Sequence, residues 1–118
     1  MPVDGDTAHG AMLYAKHCQE CHGDRHGVGK HAQAPYHGPS GHTWLHADSV
    51  LEWIILEGLG PREDGTGGDG EVRLSMPAWR GVLSDEEIRD VLSYLKTWWT
   101  PQVCEVRVEM FGAAEGSC

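Results

Sequence analysis

Cys18-Gln19-Glu20-Cys21-His22, followed by Gly23, decides how this chain is read. The pattern C-x-x-C-H is the attachment signature of a c-type haem. Two thiols can add across the two haem vinyl groups and become thioethers. The two-residue spacer lets one turn of chain reach both vinyls, and the adjacent imidazole falls beneath the iron as the proximal ligand. Cys18 and Cys21 are therefore expected to anchor one covalent haem c, with His22 on its iron. Two other chemistries use the same spacing. A zinc site needs a second ligand pair, and the remaining cysteines, Cys104 and Cys118, are distant, so histidines would have to complete it. A dithiol redox pair belongs between a strand and a helix, whereas this motif ends a helix-like run.

Length and charge fit a haem protein. A chain of 118 residues is one domain and buries a modest core, so a large apolar cofactor would contribute to stability. The net charge of −9 makes nucleic acid an unsuitable partner and favours a redox partner with a basic or mixed-charge docking surface. The motif region is locally basic, with Lys16, Arg25 and Lys30 against Glu20 and Asp24. No run is long and apolar enough to span a membrane. Covalent haem attachment takes place outside the cytoplasm in bacteria, so a periplasmic or otherwise extracytoplasmic location is expected, with a signal peptide removed or replaced by Met1.

Three helices are expected. The first runs from about Thr7 to His17, capped by Asp6 or Thr7, with Gly10, Leu13, Tyr14 and His17 on one face. Gly10 costs roughly 1 kcal/mol of helix propensity against alanine, which a close helix crossing would explain. The second runs from about Ser49 to Glu57, with a Ser49/Glu52 capping box, an inner face of Leu51, Ile54 and Ile55, and Gly58 as its stop. The third opens on a Ser84/Glu87 capping box with Leu83 stapled to Ile88, and carries Ile88, Val91, Leu92, Leu95 and Trp98 or Trp99 on its apolar stripe up to Pro101. Between them, 23–44 and 60–75 read as loops. The glycine-acid run from Asp64 to Gly70 superficially suggests calcium, but matches no full motif and is expected to be a solvated loop. After Pro101, Val106, Val108 and Met110 alternate with Glu105, Arg107 and Glu109, a period of two that predicts a short extended segment.

The second axial ligand is expected to be Met76, in the Met76-Pro77-Ala78-Trp79 loop before the third helix. A thioether is a neutral soft donor that raises the reduction potential relative to a second imidazole. His31, His37, His42 and His46 are the competing imidazoles; Met12 and Met110 are poorly placed thioethers.

With these motifs together, the chain resembles a class I cytochrome c over about residues 5–100, in particular bacterial single-haem members. That family places a glycine and an aromatic residue eight and four positions before the first haem cysteine, here Gly10 and Tyr14. Its last helix carries a Leu/Val-x-x-Tyr-Leu-Lys pattern, here within Val91-Leu92-Ser93-Tyr94-Leu95-Lys96. The resemblance implies an all-α class I fold of three main helices around one haem, with the first and last helices crossing at Gly10. A cytochrome domain is expected over 1–100, and the change of pattern after Pro101 marks a C-terminal extension over 101–118, packed on the domain or at an oligomer interface. It also implies that a proline carbonyl, Pro35 or alternatively Pro39, supports the proximal histidine, and that Trp44 or Trp79 contacts the haem.

The function expected is one-electron transfer between a protein donor and acceptor, without enzymatic activity. The alternatives are a ligand-binding or sensing haem with a displaceable or absent sixth ligand, and an electron-delivery domain of a larger redox complex. Cys104 and Cys118 are expected to form an internal disulfide of a monomer, worth ~3 kcal/mol by loop-closure entropy; a bond between two chains through Cys118 is the alternative.

Overall fold

A carboxylate and a glycine set the angle at which the chain's first helix meets a later one. Helix α1, Thr7–His17, is capped by Asp6, whose side chain accepts from the His9 N–H at 3.0 Å. The Asp6 N–H donates in turn to Asp90 Oδ1 at 2.6 Å, and His9 Nδ1 meets Asp90 Oδ2 at 2.8 Å. Asp90 lies buried on helix α4, Asp85–Lys96. A Cβ on Gly10 would stand 1.9 Å from the Asp90 carbonyl oxygen, so the two backbones touch where only glycine fits. The computed structural model describes residues 6–24, 37–58 and 76–118. Pro35, His31 and the glycine-acid loop lie outside the described residues.

The described residues are helical, with no β-strand among them. Helix α2, Gln19–His22, follows α1 directly. A 3₁₀ turn over Thr43–Leu45 leads to helix α3, Asp48–Glu57. The core is built from Leu13 and Tyr14 of α1, Leu51 and Ile55 of α3, Ile88, Val91, Leu92 and Leu95 of α4, and Leu83, Trp98 and Trp99 beside it. Helix α4 starts on a complete capping box, with the Glu87 N–H on Ser84 Oγ at 3.1 Å and the Ser84 N–H on Glu87 Oε1 at 3.0 Å. Its staple residues, Leu83 and Ile88, are both buried. The helix ends at Lys96 rather than running to Pro101, and Trp98 and Trp99 fill the core from the turn beyond it.

Helix α3 departs from the expected cap. Its N-cap is Ala47, and no Ser49/Glu52 box forms. Asp48 is turned inward, Glu52 pairs with Arg89 at 3.3 Å, and the exposed Ser49 N–H is satisfied by Glu115 Oε2 at 2.8 Å from the other end of the chain.

The largest correction concerns 101–118. No extended segment forms. Pro101–Phe111 is helix α5, and Ala113–Gly116 is a short helix α6. The fold thus has four main helices among the described residues, not three. Thr100 caps α5 by accepting from the Val103 N–H at 3.2 Å, and Pro101 occupies the first turn, where its missing N–H costs nothing. Pro101 starts a helix rather than only ending one. Val106, Val108 and Met110, the expected inner face, are exposed, and the buried residues are Val103 and Arg107, at helical spacing.

Arg107 is fully buried. Its Nη2 donates to Asp48 Oδ1 at 2.6 Å, while Lys96 Nζ donates to Asp48 Oδ2 at 2.7 Å and to the Ser117 carbonyl at 2.7 Å. Burial lowers the affinity of both cations for their protons, with Asp48 opposing the shift. Breaking such a buried network by removing one partner costs about 3–5 kcal/mol. Cys104 and Cys118 are joined as a disulfide across the same region, with Cα atoms 5.6 Å apart. The extension is therefore packed on α3 and α4 by charge and backbone bonds, and the disulfide closes it on itself.

The His9–Asp90 pair makes the α1–α4 junction pH-sensitive. The hydrogen bond to Asp90 holds the exposed His9 imidazole above its ordinary value of 6.5, with Asp90, Glu87 and Asp6 charges adding. A raised folded-state value means that the contribution is fully present below about pH 6.5. It is lost as pH rises through the folded-state value. Thermal melts from about pH 5.5 to 8.5 should show a loss of stability in this window that the His9→Gln variant lacks. Parallel melting curves for the two proteins would refute the assignment.

Candidate haem site

Cys18 both closes α1 and opens α2. Its N–H donates to the Tyr14 carbonyl at 2.8 Å, and its carbonyl accepts from the N–H groups of Cys21, at 3.2 Å, and His22, at 3.0 Å. One turn thus holds both thiols and the imidazole. The turn is tied back to α1 by the Tyr14 hydroxyl, which donates to the Gly23 carbonyl. Cys18 is buried, Cys21 half-buried, and neither is in a disulfide. Burial, with Cys21 adding, pushes the Cys18 thiol up to about 12, so it is a neutral thiol at neutral pH.

The His22 ring is buried and lies 4.3 Å from the ring of His37, centroid to centroid. Desolvation, and then the neighbouring His22, pull the His37 imidazole down to about 3, so it is neutral. His37 Nδ1 is hydrogen-bonded to Thr43 Oγ1, and the His37 carbonyl accepts from Trp99 Nε1 at 2.7 Å.

The Met76 loop reaches the site by way of α3. Gly58 ends that helix at φ +74°, and a Cβ there would meet the Met76 carbonyl oxygen at 2.4 Å. Beyond the contact, the Trp79 N–H donates to the Ile55 carbonyl at 3.0 Å and the Arg80 N–H to the Leu56 carbonyl at 3.2 Å. The Arg80 guanidinium pairs with Glu57. Trp79 then places its ring 4.8 Å from that of His17, the residue before Cys18. The end of α1 and the 76–79 segment are therefore neighbours, and Met76 is half-buried against the core.

The other candidates are dispersed. Trp44 is half-buried and donates from Nε1 to the Pro39 carbonyl at 2.9 Å. His42 and His46 face each other at 5.1 Å across the 3₁₀ turn. Met12 and Met110 are exposed, on the outer sides of α1 and α5. The buried Asp48–Arg107 pair has no distinctive motif around it; the Thr100-Pro101 cap was the available signal that Arg107 sits on a helix.

The residues present fit a covalent haem. They comprise two thiols free for thioether formation, a buried imidazole in the same turn and a thioether on a neighbouring segment. Among the described residues Trp98 Nε1 is buried without a hydrogen-bond acceptor, on an indole whose ring centroid lies 5.3 Å from that of Tyr14 and 5.4 Å from that of Tyr94. An unpaired donor in this aromatic wall marks a place where an acceptor is missing.

Comparison with known proteins agrees. The family model described as cytochrome C oxidase, cbb3-type, subunit III matches residues 5–95. No curated protein and no solved structure gave a match. The chain belongs to this family of c-type cytochrome domains, which bind covalent haem c and serve in electron transfer.

Proposed function

We propose that the protein carries one electron at a time on a single haem c, attached through Cys18 and Cys21 and ligated by His22 and Met76. The observation that supports this reading is the approach of two segments far apart in sequence: the ring of His17, the residue before Cys18, lies 4.8 Å from that of Trp79 in the loop that carries Met76, and that loop is held by the end of α3. The haem iron, cycling between ferric and ferrous states, supplies the electron chemistry. The chain would hold the iron through His22 and Met76, and it fixes the attachment turn through the Tyr14 hydroxyl on the Gly23 carbonyl. Were His22 and Met76 both to hold the iron, no site on it would be open to a substrate, which favours a carrier over an enzyme or a gas sensor.

The acidic surface suits donors and acceptors whose docking faces are basic or mixed. An extracytoplasmic location suits both the covalent haem and the Cys104–Cys118 bond, because disulfides persist in oxidising compartments. No described helix is long and apolar enough to cross a membrane.

Absorption spectra of the purified protein test the ligand set. The ferric form is expected to show the weak red charge-transfer band of iron bound to methionine sulfur, and the reduced form should not bind carbon monoxide. Absence of that band, with carbon monoxide binding, would replace the carrier with an open-site haem protein.

A further inference from the structure

We propose that Arg107 is a positioning residue for the haem pocket, through which the C-terminal helix fixes residues 37–48 and, with them, the His37 ring against His22. The proposal rests on the assignment of His22 to the iron.

The guanidinium has five N–H donors in a rigid fork. Five acceptors surround it. Nε donates to the Gly116 carbonyl at 3.1 Å. Nη1 donates to the carbonyls of Trp44, at 2.7 Å, and His46, at 2.6 Å. Nη2 donates to Asp48 Oδ1 at 2.6 Å and to the Glu115 carbonyl at 3.1 Å. The fork is saturated, so it keeps no N–H to offer a haem carboxylate directly. Its influence must pass through what it holds.

It holds the pocket wall at both ends. Trp44, His46 and Asp48 are gripped directly. The opposite end is reached through Trp99: the guanidinium carbon lies 4.7 Å from the Trp99 ring centroid, and Trp99 Nε1 donates to the His37 carbonyl at 2.7 Å. Inside the segment, His37 is tied to Thr43, and Trp44 to Pro39. The ring that touches His22 is therefore mounted on a short loop with both ends secured by one buried cation and the indole stacked beneath it. A lysine could not reproduce this, because an ammonium has three donors and no plane to stack.

Lys96 is the informative comparison. It shares Asp48 with Arg107 and is also buried, yet its other bond goes to the Ser117 carbonyl, and it bonds to neither the Trp44 and His46 carbonyls nor Trp99. The test uses the full-length holoprotein as wild type, Arg107→Met, Arg107→Lys and Lys96→Met. Amide hydrogen exchange is followed over 37–48, and the haem-methyl proton shifts of the ferric form report the orientation of the axial imidazole. Arg107→Met is expected to speed exchange over 37–48 by about tenfold or more and to change the spread of the haem-methyl shifts. Arg107→Lys should give smaller changes of the same kind, and supplies the measurement if the methionine variant does not fold. Lys96→Met should loosen the C-terminus and the amide at Asp48 while leaving exchange over 37–46 and the haem-methyl shifts at wild-type values. Equal effects of the Arg107 and Lys96 variants, or wild-type haem-methyl shifts in both Arg107 variants, would reduce Arg107 to a stabilising contact and overturn the proposal. Failure of the ligand reading would show separately, in wild type, as haem-methyl shifts without the signature of an axial imidazole.

Discussion

Gly10→Ala is expected to destabilise the protein, although alanine is the better helix former by about 1 kcal/mol. The new Cβ would stand 1.9 Å from the Asp90 oxygen, 2.5 Å from the Asp90 carbonyl carbon and 3.0 Å from the Val91 nitrogen. All three are backbone atoms of α4 and cannot rotate aside. The helices would have to part by about 1 Å or more to restore ordinary contact. Separation would lengthen the bonds of Asp90 to Asp6 and His9 and loosen Leu13 and Tyr14 against α4. Overpacking of this kind costs about 1–3 kcal/mol where side chains can adjust, and a rigid backbone places this site at or beyond the upper end. The loss is a large share of a total of about 5–15 kcal/mol. Denaturant melts of Gly10→Ala and of the exposed Ala15→Gly measure the balance: the second reports helix propensity alone, and the first should lose more despite its favourable propensity. A Gly10→Ala protein as stable as wild type would mean that the crossing is looser than the structure shows.

The same crossing shows what a sequence can carry. Asp6, Gly10, Leu13 and Tyr14 are close in the chain, so their cap and spacing are readable there, as is the C-x-x-C-H turn, whose chemistry is local. Arg107 is different. Four of its five acceptors are backbone carbonyls, which have no sequence signature, and the fifth, Asp48, lies in a segment that meets it only after folding. The pairing of His37 with His22 is hidden for the same reason, since it depends on a loop held from outside.

The C-terminal extension misleads for a more specific reason. Alternation of Val106, Val108 and Met110 suggests a strand only if apolar residues must face inward. On α5 these three are exposed, and one buried position belongs to an arginine. A hydrophobic pattern assigns the inner face correctly when burial is driven by apolar area. It fails where an ion network is the buried element. Thr100-Pro101 at one end and Gly112 at the other were better guides than the residues between them.

Met76→Ala should open the iron with little disturbance of the loop that carries it. The segment is anchored by the main-chain bonds of Trp79 and Arg80 to the end of α3, and none of these needs the methionine side chain. Truncation should therefore cost less than the 2–5 kcal/mol typical of a fully buried methionine, because Met76 is only half-buried. The redox effect should be far larger in proportion. A thioether favours ferrous iron, so its loss lowers the reduction potential; axial ligands span about 0.8 V in haem proteins, and a fall of roughly 100 mV or more is expected. The variant should lose the sulfur-to-iron charge-transfer band and bind carbon monoxide when reduced. Gly58→Ala provides an independent approach to the same ligand. Its Cβ would meet the Met76 carbonyl oxygen at 2.4 Å on a backbone already at φ +74°, so it should displace the loop and weaken the band while leaving the thioether in the chain. A band that survives Met76→Ala would remove Met76 from the iron. A band lost in Met76→Ala and weakened in Gly58→Ala would tie the axial sulfur to the way α3 ends.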